Sequence, residues 1–346
     1  MKSKSRSNCH DEQYFGSTHA KGTRITTVEV QVANQDLYSS NFFQFKKVLV
    51  IGLGQLGLPV ARYVKQRGFD TYGYDISPKA VELAQKTAVI ENATNFSEFD
   101  VFILCVSTHK ADDILSPQID GLLSIVERIS KEAKSGALVS IESTVPKGTS
   151  KRVFEILSHR MHVVHAPHRW YSLEENIHGV NQLRVIGGVC DCCLKAGLAF
   201  YGGVDSVSVN AQSYSSSSSP KSLGIPMHPV TSIEIAELTK VVENAHRYLQ
   251  IAFAEELYLY CQANNINFPE LRDALNTKWN VEILEPREGI GGHCLPKDTK
   301  MFLESSKARK SKILAAAIEA DQEYRTHRAR LEPSPKYPVI SEIDSK

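Results

Sequence analysis

No stretch of the 346-residue sequence sustains an apolar run near the ~20 residues that a helix needs to cross a bilayer. The basic N-terminus, Met1-Lys2-Ser3-Lys4-Ser5-Arg6, is not followed by an apolar stretch, so it does not read as an export signal. Net charge is almost absent. The 40 Lys and Arg stand against 39 Asp and Glu, a balance of +1, so no overall field draws the chain toward nucleic acid or a membrane surface. Cysteine is sparse: an odd seven, spread over a long chain, do not make the disulfide framework of a small secreted protein. The expectation is a soluble cytoplasmic protein with reduced thiols, whose partners have to be argued from its sites.

From Lys46 onward, short apolar runs alternate with helical patterns: Val48–Ile51, Thr71–Tyr74, Val101–Val106, Ala137–Ile141, Val163–Val164 and Val185–Ile186. Such alternation implies βαβ units and a parallel sheet. Residues 1–44 read as a polar extension with one strand-like piece, Thr26–Val32. The stretch Ser213-Tyr214-Ser215-Ser216-Ser217-Ser218-Ser219-Pro220 cannot bury enough apolar surface to offset its ordering entropy, which makes 206–224 a linker or insertion. After it, one long helix is expected from about Ser232 to Asn264, with Ile235, Leu238, Val242, Ala245, Leu249 and Ala252 on its apolar face. Helices near Pro269–Asn276 and Thr299–His327 complete a helical region over 225–330, and 331–346 reads as a tail.

Gly52-Leu53-Gly54-Gln55-Leu56-Gly57 is a G-x-G-x-x-G between a strand and a helix. Its glycines permit a tight turn, close approach of backbone to a pyrophosphate and close helix–strand packing, while the helix N-terminus offers amides to the phosphates. Asp75 ends the next strand at the distance expected of a carboxylate that binds a ribose 2′-hydroxyl. A carboxylate repels a 2′-phosphate, so NAD is the expected cofactor for residues 45–205. Val106, Ser107, Thr108 and Thr144, at the ends of later strands, join Gly52, Gly54, Gln55, Leu56, Gly57 and Asp75 as expected cofactor contacts. The fold class is therefore α/β, a Rossmann-type doubly wound sheet followed by an all-helical part.

In Gly289-Ile290-Gly291-Gly292-His293-Cys294-Leu295-Pro296-Lys297-Asp298, a cysteine sits in a glycine-rich loop just ahead of a helix, with Pro296 suited to the first turn. The helix dipole and Lys297 are expected to lower its thiol pKa and make Cys294 a nucleophile. On the long helix, Glu237, Lys240 and Asn244 share one face by their spacing. The bland reading is a solvated Glu–Lys pair; the functional one points Lys240 and Asn244 into a cleft.

The Gly52–Gly57 turn, Glu142-Ser143-Thr144-Val145-Pro146-Lys147-Gly148-Thr149, the helix Ala236–Ala245 and Gly289–Asp298 occur in the order and character of a known family. Over about residues 46–330 the chain resembles the UDP-glucose/GDP-mannose dehydrogenases, the nucleotide-sugar 6-dehydrogenases. The resemblance implies NAD-dependent double oxidation of a sugar CH2OH to a carboxylate, with the aldehyde trapped by Cys294 and released by hydrolysis of a thioester. It further implies that Lys240 and Asn244 stabilise an oxyanion and touch substrate. Asp298 assists proton transfer through a water that Thr144 helps to hold. A homodimer through helix 232–264 also follows from it. Arg169, Arg287 and Gly291 are the expected substrate contacts, with Arg184 a further arginine able to grip a diphosphate.

Two departures from the family pattern stand out. Where its members carry Pro-Glu, this sequence reads Pro167-His168-Arg169, so His168 is expected to replace a carboxylate acid/base; Glu174 and Glu175 are alternatives. The chain also ends without the second nucleotide-binding unit of the family, leaving that role to a separate chain or to the arginines. No metal is expected: Cys190-Asp191-Cys192-Cys193 lacks a matching Cys or His pair at zinc spacing. A single-hydride hydroxyacid dehydrogenase and a non-catalytic NAD-binding subunit are the competing readings. The segments Pro167–Arg169 and Arg184–Gly188 lean toward an N-acetylhexosamine substrate.

Overall fold

A computed structural model describes residues 43–110, 113, 116–170, 174–202, 222–292, 294–305 and 311–331. The strand-like Thr26–Val32, most of the serine-rich stretch and nearly all of the C-terminal tail lie outside the described residues.

Strands β1 (Lys47–Ile51), β2 (Asp70–Tyr74), β3 (Glu91–Asn92), β4 (Val101–Leu104), β5 (Leu138–Ile141), β6 (His162–His165), β7 (Arg184–Gly188) and β8 (Met227–Pro229) form one sheet in the order β3-β2-β1-β4-β5-β6-β7-β8. The chain reverses direction outward from β1, first toward β2 and then toward β4. That reversal is the switch point at which open α/β sheets bind ligands. Every residue of β4 and β5 is buried, as strands covered on both faces require.

The covering helices follow from the sequence. On one face, α1 (Gly57–Gln66), α2 (Pro78–Ala88) and α5 (Asp191–Tyr201) bury Val60, Val64, Ala84, Ala196 and Phe200. On the other, α3 (Asp120–Glu132) and α4 (Thr149–Ile156) bury Leu122, Val126, Ile129 and Val153. Ser77, whose hydroxyl accepts from the Ala80 amide, and Pro78 start α2.

One strand breaks the expected parallel pattern. β7 runs antiparallel to β6, with no α-helix among the described residues between them, and the sheet is mixed.

The long helix forms almost as its sequence specifies. α6 spans Ile233–Ala263, capped by the Ser232 hydroxyl, which accepts from the Glu234 amide, and ends at Asn264. Its buried stripe differs from expectation. Ile233, Ala236, Glu237, Val241, Ala245, Tyr248, Ala252 and Glu255 face inward, whereas Ile235 and Val242 are exposed. Apolar residues mark two faces of this helix, and apolar periodicity alone does not reveal that two carboxylates lie on the buried one.

α7 (Phe268–Leu275) follows, and the single helix expected at Thr299–His327 is two, α8 (Cys294–Ser305) and α9 (Lys312–Leu331). Both pack on α6, where Tyr248, Ala252, Ile290 and Ala317 make a smaller core.

Candidate functional site

The cofactor turn is built by its glycines. Gly52 holds φ +90°, and a Cβ on Gly57 would stand 1.6 Å from the Gly52 carbonyl oxygen, so helix and turn meet only if both are glycine. A Cβ on Gly54 would meet nothing within 4 Å, which leaves open space over the middle of the turn. Asp75 braces it from β2: its Oδ2 accepts from the Leu53 amide at 2.6 Å and its Oδ1 from the Ser77 amide at 2.7 Å. Gln55 and Leu56 lead into α1, which has no side-chain cap, so the positive end of the helix faces the turn with no side chain over it. A close backbone approach, an uncapped helix start and a carboxylate at the next strand end fit a dinucleotide.

At the adjoining strand ends the loops interlock. Ser143 Oγ donates to the Val106 carbonyl at 2.7 Å, and Thr108 Oγ1 donates to the Thr144 carbonyl at the same distance. Ser107 Oγ lies 3.0 Å from His109 Nδ1. Lys297 of α8 then reaches across: its buried Nζ donates to Thr108 Oγ1 at 3.3 Å and lies 3.5 Å from Asp298 Oδ1. α8 is thereby fastened to the cofactor loops.

Cys294 is the first residue of α8 and is exposed. Its electrostatics correct the expectation from sequence. Partial loss of hydration and the Asp298 carboxylate push the thiol above its ordinary value, against the opposing pull of Lys297 and Lys240. The lysine that was to activate it is instead turned toward Thr108. Asn244 Nδ2 donates to Asp298 Oδ2 at 2.5 Å, so α6 and α8 present Lys240, Asn244, Asp298 and Cys294 together. Lys240 lies within electrostatic reach of both Cys294 and His168.

Glu237 is not half of a solvated pair. It is fully buried, and its two oxygens accept from the Gly148 and Ser150 amides at 2.6 and 2.7 Å, capping α4.

His168 is buried and belongs to a polar cluster that sequence reasoning missed. Its Nε2 lies 2.7 Å from Glu142 Oε2, while Glu142 Oε1 pairs with Arg184 at 3.1 Å and accepts from Tyr201 at 2.5 Å. Tyr201 in turn lies 2.7 Å from Ser140 Oγ. Burial alone would raise the Glu142 pKa, but Arg184 and His168 outweigh it and hold the carboxyl at about 2. Burial, then Arg184, pushes His168 down to about 4, so it is a neutral imidazole rather than one titrating at the usual value. The signal lay in Glu142, a charged residue ending an otherwise apolar strand.

The arginines divide. Arg184 is fully buried and committed to Glu142 and the Val180 carbonyl, so it is not a substrate clamp. Arg169 pairs with Glu243 on α6 and donates to the Leu183 carbonyl at 3.0 Å. Arg287 is exposed, its carbonyl held by Tyr324 of α9, and Gly291 is exposed as well. Glu174 and Glu175 are exposed, the former 3.4 Å from His178.

Comparison with known proteins points to one family. The model of the UDP-glucose/GDP-mannose dehydrogenase family's NAD binding domain matches residues 87–203, and that of the family's central domain matches 234–323. A UDP-N-acetyl-D-mannosamine dehydrogenase of Methanococcus maripaludis is 29% identical over 299 residues, covering 80% of this chain and 65% of that protein. One from Methanocaldococcus jannaschii is 31% identical over 288 residues, covering 77% and 63%. The chain thus spans a little under two thirds of the length of these relatives. Among solved structures, a UDP-D-ManNAc dehydrogenase from Pyrococcus horikoshii superposes with a TM-score of 0.69 at 24% identity, over 82% of this chain and 70% of the other. By its two matched domains, its sheet and its glycine turn, the chain belongs to the UDP-glucose/GDP-mannose dehydrogenase family.

Proposed function

We propose that this protein oxidises a nucleotide sugar at C6 from CH2OH to carboxylate, with a UDP-N-acetylhexosamine as the substrate class. The observation that carries the proposal is the convergence of Lys240, Asn244 and Asp298 beside Cys294, at the start of a helix that Lys297 ties to the cofactor loops. The names of the relatives from Methanococcus maripaludis and Methanocaldococcus jannaschii support the choice of substrate.

NAD, held by Gly52–Gly57, Asp75 and the Val106–Thr108 loop, supplies the hydride acceptor. Lys240 and Asn244 donate to the alkoxide and oxyanion oxygens that develop at C6. Cys294 adds to the aldehyde and gives up its thiol proton, and the thiohemiacetal carbon would lose a second hydride to NAD to leave a thioester. Asp298, already a hydrogen-bond acceptor, is the nearest carboxylate to take that proton and to orient the water that later cleaves the thioester. His168 and Thr144 complete the proposed water site, Thr144 on a loop that Thr108 holds through its carbonyl. α6 also presents exposed Val242, Phe253 and Tyr260, an apolar face suited to a second copy of the chain.

The test is a panel of UDP- and GDP-sugars scored for NADH stoichiometry. Two NADH per sugar and a carboxylate product are expected, and a Cys294→Ala enzyme that formed carboxylate at the normal rate would overturn the reading. One NADH per substrate would favour a hydroxyacid dehydrogenase.

A further inference from the structure

The sulfur atoms of Cys190, Cys192 and Cys193 gather at the start of α5, with Cys190 Sγ 3.0 Å from Cys192 Sγ and 3.2 Å from Cys193 Sγ. The sequence offered no fourth partner at a regular spacing, and the fold supplies one. His162, the first residue of β6, brings a ring nitrogen into a group with the Cys192 and Cys193 sulfurs whose ligand atoms all lie within 4.8 Å of one another. We propose that Cys190, Cys192, Cys193 and His162 form a structural site for a thiophilic divalent cation, zinc first, which reverses the sequence-based expectation of no metal.

The surroundings suit such an ion. Three thiolates and one neutral imidazole are a closed tetrahedral donor set, the composition of structural rather than catalytic zinc. Bonds of ~2.3 Å to sulfur at tetrahedral angles separate sulfurs by ~3.8 Å, so Cys190 has to move away from the Cys192 and Cys193 sulfurs by less than an ångström and swing toward His162, which groups with Cys192 and Cys193 alone. Cys193 Sγ accepts from the Val163 amide at 3.3 Å, which ties the cluster to β6. Phe43 packs edge-to-face on the His162 ring at 5.3 Å. Each thiol that binds releases one proton, with no change of oxidation state.

The position also defines the role. His162 opens β6, which runs parallel to β1 through β4 and β5, so the cluster lies at the opposite end of the sheet from the Gly52 turn. A cation there would clamp β6 to the β7–α5 connection without touching the cofactor or Cys294.

The experiment uses the untagged full chain, purified in reductant, loaded with zinc, freed of loose metal and measured for metal content. About one zinc per chain is expected, kept by Cys294→Ala, and falling at least about tenfold in Cys192→Ser and in His162→Ala. Cobalt in place of zinc should show the sulfur-to-metal charge-transfer band of tetrahedral thiolate ligation. NAD binding and circular dichroism check that each variant folds; Cys192 is exposed, so its substitution spares the core. Failure to retain metal in the folded parent, or equal retention by Cys192→Ser, would overturn the proposal. So would a protein that holds a Cys190–Cys193 disulfide even in reductant.

Discussion

Glu237 and Ser150, far apart in sequence, are joined by a 2.7 Å bond from the Ser150 amide to a buried carboxylate on α6. With the Gly148 amide on its other oxygen, Glu237 fixes the start of α4 and, through it, the loop that carries Thr144. A glutamine retains one acceptor oxygen and aims an amide group at a helix N-terminus. Glu237→Gln should therefore lose about 1–3 kcal/mol of stability in chemical denaturation, and Glu237→Ala more.

Glu142 and Arg184 form a fully buried pair, and removal of one partner strands the other. Arg184→Met should cost about 3–5 kcal/mol, while the double variant Glu142→Gln/Arg184→Met should cost less than the sum of the singles. Equal and additive losses in a double-mutant cycle would show the two residues to be independent.

Glu255 is fully buried on α6 and neither of its oxygens has a hydrogen-bond partner. Burial, and then Asp321, raises its pKa to about 8. Because the folded value lies above the unfolded one, its contribution is fully present below about pH 4 and is lost as pH rises toward 8. Glu255→Gln should therefore match the parent near pH 4 and exceed it by about 1–3 kcal/mol at pH 8 in thermal melts followed across pH.

Asp75 holds the cofactor turn through Leu53 and Ser77, besides its expected contact to a ribose. Asp75→Asn should weaken NAD binding about tenfold by calorimetry, since it replaces charge-assisted acceptors with neutral ones. Unchanged affinity would remove Asp75 from the cofactor site.

At the reacting end, Asn244→Ala should lower kcat about 10²–10³-fold with a smaller change in KM, as expected for a donor used in the transition state. An effect confined to KM would place Asn244 in ground-state binding alone.

Much of this was legible in the chain. The strands from Val48 to Ile186, the turn at Gly52 and the limits of α6 follow from short-range rules, periodicity, glycine and capping. What escaped was long-range. Nothing local to Glu237 says that it meets Gly148, and nothing near His162 says that α5 will lay cysteines beside it. The Cys294 environment was misjudged because its loss of hydration and the Asp298 carboxylate outweigh the neighbouring lysine. The Thr299–His327 pattern hid a break, since helical periodicity continues on both sides of it.

α6 runs for 31 residues without interruption, about 46 Å of stiff rod. Near one end it is pinned to the start of α4 by Glu237, and further along it is joined to α9 through Tyr248 and Asp321. Lys240 and Asn244 lie close to the pinned end, where a tilt of the rod displaces them least. Their aim at the reacting carbon should survive motions that carry the far tip of the rod through several ångströms, as a hinge pin stays still while the door swings.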